Sequence, residues 1–343
     1  MSTSRWIAAR LERGTASRAA RAIATLWAAC ADPVRPMRLP IGPRLIGVGG
    51  ATLGGSGKTA VTAALAAELL RAGVRVAVIA SGYRARDGAA RRVLPHASAR
   101  AAGDEAALLS RVLTPLGVPV YVAGRRSAAL ALAARAEPHA IVIDGLLQTR
   151  PVALDVSVLV LDAAQPWGAG VCPPAGDLRA PVQALLQAAD VVLWRSGAAR
   201  SPHTPLARRE LRFCDAIAGA RAPDGALLAL AELARRRLGL VLALARPERV
   251  ERELARHGIH PQLTLHYADH AELPPPPAAL LARAPVEAWL TTAKCATKLG
   301  SSYAGAPLLV LEQRVELPPE LVEICTSGAC LEPLRRGVFA GAP

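Results

Sequence analysis

Residues Thr52-Leu53-Gly54-Gly55-Ser56-Gly57-Lys58-Thr59 follow an apolar run, Leu45 to Val48, and open a helical pattern from Lys58 to Ala72. A glycine-rich turn between a strand and a helix wraps backbone N–H groups around phosphates and sets a helix N-terminus behind them. In that setting Lys58 reaches the β- and γ-phosphates of a nucleoside triphosphate, and the Thr59 hydroxyl can ligate Mg²⁺. Gly54, Gly55, Ser56 and Gly57 form the turn itself. The general pattern GxxxxGK[ST] begins with glycine, where this chain has Thr52. A partitioning-type ATPase would carry a second lysine just before the Gly-Gly pair, a position held here by Leu53.

Composition adds weight to Lys58. Of 41 Lys and Arg residues only three are lysine: Lys58, Lys294 and Lys298. A position that keeps Lys against such an arginine bias calls for a compact ammonium rather than a planar guanidinium. The net charge of +14 implies an anionic partner such as a nucleotide, a membrane surface or a phosphorylated substrate. With aromatic residues at 3%, base-stacking platforms are too sparse, so nucleic acid is not expected. Six cysteines contain no CxxC pair, which excludes a zinc ribbon and points to free thiols in a reducing compartment. Charges interrupt the amino end, MSTSRWIAARLERG, so neither a secretory leader nor a membrane-spanning helix is expected there.

Strand-like and helix-like stretches alternate after the loop: strand Arg75 to Ala80, helix Asp104 to Leu113, strand Val118 to Val122, helix Ser127 to Ala136, then strands Ala140 to Ile143, Val156 to Leu161 and Val191 to Trp194. This alternation predicts an α/β fold with a doubly wound, mostly parallel sheet of the P-loop NTPase type. A second, smaller α/β domain follows, with strands Gly239 to Leu244, Gln262 to Tyr267, Glu287 to Thr292 and Leu308 to Glu312. The expected division is 1–43 as a basic amphipathic segment, 44–200 as the nucleotide domain, 201–237 as a connection and 238–343 as the smaller domain. Residues 1–31 mix Arg5, Arg10, Arg13, Arg18 and Arg21 with Trp6, Leu11, Ile23, Leu26 and Trp27. That pattern suits either a helix lying on an anionic membrane surface or one packed on the core.

Phosphoryl transfer also needs carboxylates to handle metal and to accept a proton. Candidates at strand ends or loops are Asp104, Glu105, Asp144, Asp162 and the Asp269-His270 pair. Asp144 is the best placed for magnesium, because it ends an apolar strand next to the phosphate loop.

Taken together, these stretches resemble the tetraacyldisaccharide 4'-kinase family. Its loop reads close to VGNxTxGGTGKTP, and Val48 to Thr59 follow it, including Thr52. Gly82-Tyr83 is similar to the family's SRGYxR, Gly103-Asp104-Glu105 to its GDE, and Gly168 to Pro181 to GNGxLLPAGPLREP in unbroken register. Farther on, Ala245-Arg246-Pro247 resembles GIARP, Asp269-His270 resembles DHH, and Thr292 to Lys298 resembles TEKDAVK. All three lysines fall in these motifs.

The resemblance implies transfer of the ATP γ-phosphate to the 4'-hydroxyl of a lipid-linked disaccharide 1-phosphate, at the cytoplasmic face of the bacterial inner membrane. In that reading the protein is peripheral, held to the anionic surface by its amino-terminal helix. ATP and Mg²⁺ are the implied cofactors; no feature sets the oligomeric state. By position, Asp104 is the base, His270 pairs with it and Lys58 serves catalysis. Thr52, Gly54, Gly55, Ser56, Gly57, Lys58 and Thr59 hold the nucleotide. Thr59, Glu105 and Asp144 assist the metal, and Gln148, Arg179 and Asp269 meet the substrate. Several family acids are replaced: DDGxQH becomes Asp144-Gly145-Leu146-Leu147-Gln148-Thr149, the Glu of REP is Ala180, and Ala293 and Cys295 stand in TEKD. The alternatives are a catalytically weakened homologue or a P-loop ATPase switch that uses no lipid acceptor. The intact loop, Asp104 and His270 favour an active kinase.

Overall fold

The computed structural model describes residues 14, 17–31, 34–82, 88–195, 209–269 and 271–327. Strand β1 (Val34–Pro36) pairs in parallel with β7 (Gln148–Arg150) as a separate two-stranded piece. The other described strands form one sheet. From edge to edge its main path runs β13 (Leu263–Tyr267), β12 (Leu238–Ala243), β14 (Ala288–Thr292), β16 (Ala306–Glu316), β10 (Glu210–Arg221), β9 (Val191–Arg195), β8 (Val156–Asp162), β2 (Arg44–Gly50), β6 (Ala140–Asp144), β3 (Val76–Ile79), β5 (Val120–Val122) and β4 (Arg91–Val93).

Two parallel blocks meet inside this sheet. One runs from β10 through β9, β8, β2, β6 and β3 to β5, and the other joins β13, β12, β14 and β16. The seam between them is the antiparallel pair β10 and β16. Strand β10 changes partner along its length: Glu210 to Phe213 pair with β9, and Cys214 to Arg221 pair with β16. The stretch 201–237, expected to be a connection, therefore contains the longest strand described. Its alternating arginine, alanine and apolar residues give a weak two-residue period, and pairing on both sides decides the conformation where local pattern does not.

The central strands explain themselves. Leu45 to Gly50 in β2 and all of β6 and β8 are buried, as expected of continuous apolar runs covered by helices on both faces. Helix α1 (Arg18–Cys30) precedes β1. Helix α2 (Lys58–Arg71) buries Val61, Leu65 and Leu69 at four-residue spacing against Ile46, Val48 and Val158. Helix α3 (Asp104–Leu113) adds Leu109 and Leu113 to that core. On the opposite face α4 (Arg126–Ala134) packs Ala129, Leu130 and Ala133 onto Leu45, Ile141 and Ile143. The second block has its own core of Leu240, Leu242, Leu254, Leu290 and Leu309. The last described helix, Pro319–Thr326, crosses back and places Leu321 and Cys325 in the α2 core. An arginine at the start of β2 fastens it there, Arg44 Nη2 donating to the Ile324 carbonyl at 3.0 Å.

Phe213 sits where β10 changes partner and is almost fully buried. Its replacement by alanine should cost about 3–5 kcal/mol. Because β10 is shared by both blocks, urea unfolding of Phe213→Ala should show probes in the two blocks losing stability together.

Candidate phosphate-transfer site

The loop follows β2 at the carboxyl edge of the sheet, where ligands of parallel α/β folds collect. Gly57 caps α2 in a left-handed conformation, φ +85°, with no side-chain capping bond. The first-turn amides of α2 therefore face the loop without a competing protein acceptor, which fits an anion. Glycine is required at Gly57 for a second reason: a Cβ there would collide with the Arg195 guanidinium. The start of the loop is pinned from the other side. Thr52 bridges to Leu178, Arg179 Nε donates to the Thr52 carbonyl at 2.8 Å, and Arg179 Nη2 donates to the Leu53 carbonyl at 3.3 Å. Thr52 Oγ1 donates to the Gly54 carbonyl at 2.6 Å, giving the threonine in this unusual position a local structural task.

Lys58, the first residue of α2, is buried and pairs with Glu105 Oε1 at 3.0 Å. Asp144 ends β6, fully buried, and accepts from Thr59 Oγ1 at 3.1 Å and Thr62 Oγ1 at 3.2 Å. Burial, and secondarily the charge of Glu105, push the Asp144 carboxyl up to about 6, while Lys58, Thr59 and Arg126 oppose the rise. Arg126 Nη2 donates to the carbonyls of Asp144 at 3.1 Å and Gly145 at 3.3 Å, closing the turn after β6. Thr59 with Asp144 forms an oxygen-rich pair of the kind magnesium takes beside a phosphate. Glu105 lies within electrostatic reach but is held by Lys58. Among the described residues no group of three His, Cys, Asp or Glu converges as a metal cage.

The remaining lysines also find acids. Lys298 Nζ lies 2.7 Å from Asp104 Oδ2 and donates to the Ala271 carbonyl at 3.1 Å. Lys294 Nζ pairs with Asp269 Oδ1 at 2.6 Å. Burial works against the Lys294 ammonium, but Asp269, with support from Glu105 and Asp104, outweighs it and raises the Lys294 pKa. The second block thus delivers Lys294, Lys298 and Asp269 to the loop edge, where a Cβ on Gly54 would come within 3.3 Å of Asp269 Oδ2. A strand-to-helix phosphate loop, a buried Asp at the adjoining strand end, and a buried acid at the start of α3 make a site for phosphoryl transfer.

A sequence profile described as tetraacyldisaccharide-1-P 4'-kinase matches residues 17–327. The chain belongs to that family. The tetraacyldisaccharide 4'-kinase of Syntrophotalea carbinolica is 33% identical over 283 residues, 79% of this chain and 78% of that protein. The namesake from Anaeromyxobacter dehalogenans is 36% identical over 252 residues, 67% of this chain and 64% of that protein. The crystal structure of Aquifex aeolicus LpxK with ATP superposes with a TM-score of 0.66, covering 89% of this chain and 98% of that one at 21% identity, a likeness of fold.

Within the 4'-kinase framework, the structure brings together Lys58, Thr59, Asp104, Glu105, Asp144, Arg179 and Asp269. Gln148 opens β7, opposite Val34 of β1. His270 and Tyr83 lie outside the described residues. Asp162, a candidate by its strand-end position, is instead a structural acid. Its Oδ2 meets Arg195 Nη1 at 3.3 Å and lies near Arg249 at 3.9 Å and Arg246 at 4.0 Å. Arg195 Nε is 2.9 Å from Asp215 Oδ1, although its N–H does not point at that oxygen. Sequence reading missed Arg126, Arg195 and Thr62. An arginine is no signal in so arginine-rich a chain, and Thr62 is visible only once α2 is known to turn it toward β6.

Asp144 sets a pH dependence on the metal-free protein. Its folded value near 6 lies above that of a free carboxylate, so the bound proton stabilises the fold, and this contribution fades as pH rises through about 6. With Mg²⁺ chelated, wild type should lose roughly 1–2 kcal/mol more than Asp144→Asn between about pH 5 and about pH 7.5 in urea unfolding.

Proposed function

We propose that this chain transfers the γ-phosphate of ATP to the 4'-hydroxyl of a tetraacyldisaccharide 1-phosphate, a step of lipid A biosynthesis. Carrying this reading is the convergence of Lys58, Thr59 and Asp144 with Asp104 at one edge of the sheet, in a chain of the 4'-kinase family. The loop amides, the α2 N-terminus and Lys58 hold the triphosphate, and Lys58 exchanges Glu105 for phosphate oxygens when it does so. Thr59 and Asp144 would hold magnesium, which when bound screens the phosphate charge. Asp104 accepts the proton of the 4'-hydroxyl as its oxygen attacks the γ-phosphorus and the bond to ADP breaks. Lys298 holds Asp104 against the loop edge, and the family resemblance assigns His270, which lies outside the described residues, as its partner. The replaced family acids do not remove this set, because Glu105, Asp104 and Asp144 are all present and paired.

The acceptor is a lipid, and α1 is suited to meet it at a membrane surface. Its buried residue is Ala24, while Ile23, Leu26 and Trp27 are 54%, 70% and 53% exposed. Arg18 and Arg21 stand on the same short helix, the pairing of apolar and basic side chains that anionic interfaces attract. No described helix is long and apolar enough to cross a membrane.

Purified protein supplied with labelled ATP, Mg²⁺ and the disaccharide 1-phosphate should label the acceptor; hydrolysis indifferent to acceptor would instead identify an ATPase switch. Lys58→Ala should abolish nucleotide binding, whereas Asp104→Ala should keep ATP binding and reduce transfer by at least about 100-fold, read from turnover. Deleting residues 1–31 should lower sedimentation with anionic lipid vesicles while leaving the ATP site intact.

A further inference from the structure

Two of the four tyrosines in the chain end on one carbonyl. Tyr267, the last residue of β13, donates its hydroxyl to the Pro274 carbonyl at 2.7 Å, and Tyr303, which pairs with Ala306 at the start of β16, donates to the same oxygen at 2.6 Å. The two hydroxyls lie 3.3 Å apart. A carbonyl oxygen has two lone pairs, so both donors can be accepted at once. Tyr303 is buried, its ring edge-on to Trp289 with 5.1 Å between centroids, and Leu273 lies in the same apolar cluster. Burial and the Tyr267 hydroxyl push the Tyr303 phenol above its ordinary value, which keeps it a donor.

Phenylalanine would fill this cluster with no hydroxyl to satisfy, so packing alone does not call for tyrosine. What the hydroxyls add is closure of the chain between residues 267 and 274. That stretch carries Asp269, which pairs with Lys294 at 2.6 Å, and Ala271, whose carbonyl accepts from Lys298 at 3.1 Å. The Ala271 amide donates to the Ala268 carbonyl at 2.9 Å, making a tight turn. Lys298 Nζ also lies 2.7 Å from Asp104 Oδ2, so one ammonium links this turn to the acid that opens α3. A Cβ on Gly54 would lie 3.3 Å from Asp269 Oδ2, so the turn borders the phosphate loop as well. We propose that Tyr267 and Tyr303 are positioning residues for phosphoryl transfer: their joint grip on Pro274 holds the turn where Lys298 sets Asp104 against the phosphate loop. Both hydroxyls are engaged on Pro274, so they act through the Ala271 carbonyl and Lys298 rather than on the reacting atoms. This role rests on the kinase reading above and adds to it the residues that fix the place of its base.

The test compares wild type with Tyr267→Phe, Tyr303→Phe and the double variant, all of which keep the rings. Because either hydroxyl alone satisfies the carbonyl, each single variant should keep kcat within about twofold of wild type, while the double variant should lose roughly tenfold or more, beyond the product of the single effects. The KM for ATP and the calorimetric affinity for ATP should not change. Assays run well below the unfolding midpoint of each variant separate positioning from stability. A double variant with a lower midpoint but wild-type kcat would overturn the proposal, as would losses that simply multiply or a loss confined to ATP affinity. Hydrogen exchange without substrates reads the turn directly: the Ala271 amide should exchange faster in the double variant, with amides of β12 and β14 unchanged. Transfer to no acceptor by wild type would sink the kinase reading, and exchange would then still decide the grip on the turn, faster exchange at Ala271 supporting it and unchanged exchange refuting it.

Discussion

Crowding around the phosphate loop is the constraint on which the rest depends. Three of its glycines are pressed by side chains from distant parts of the sequence. Gly57 lies against Arg195 at the end of β9, Gly55 against Arg246, and Gly54 against Ala245 and Asp269. A loop without side chains lets backbone amides turn inward to phosphate while both blocks of the sheet close on it from outside. Strand β10 then acquires a clear purpose: by passing from β9 to β16 it fixes the spacing between the block that carries Arg195 and the block that carries Arg246 and Asp269.

Much of this was legible in the sequence because it is local. The strand, glycine turn and helix from Leu45 to Ala72 announce the loop, and Asp104 opens α3 where the pattern places it. The acid at the end of β6 follows from the same reasoning, since a buried strand end beside a phosphate loop has few other uses for a carboxylate. What escaped depends on pairing between remote segments. β10 carries a mixed pattern that only its two neighbours make into a strand. Asp162 looked like any other strand-end acid until Arg195, Arg246 and Arg249 were found around it. Arg126 is hidden by composition, as one arginine among many.

The lysines show how composition can become geometry. Each of the three ends on a different acid of the site: Lys58 on Glu105, Lys294 on Asp269 and Lys298 on Asp104. Two of the acids open one helix, Lys294 lies within another short one and Lys298 just after it, so three ion pairs tie α3 to the loop and to the Thr292 to Lys298 segment, and that segment to Asp269. Arginine would be too long and too planar for such close pairs in half-buried space.

Those pairs make nucleotide capture a process of ion exchange. A protein of net charge +14 would seem to draw ATP through unspent positive charge, yet the lysine that meets the phosphates is already neutralised. On the proposed reading phosphate would compete with Glu105 for one ammonium, and the displaced carboxylate would be left within the electrostatic reach of Asp144. A freed Glu105 would join Asp144 and Thr59 as an oxygen donor for magnesium, so on the proposed reading each ligand would prepare the place of the other.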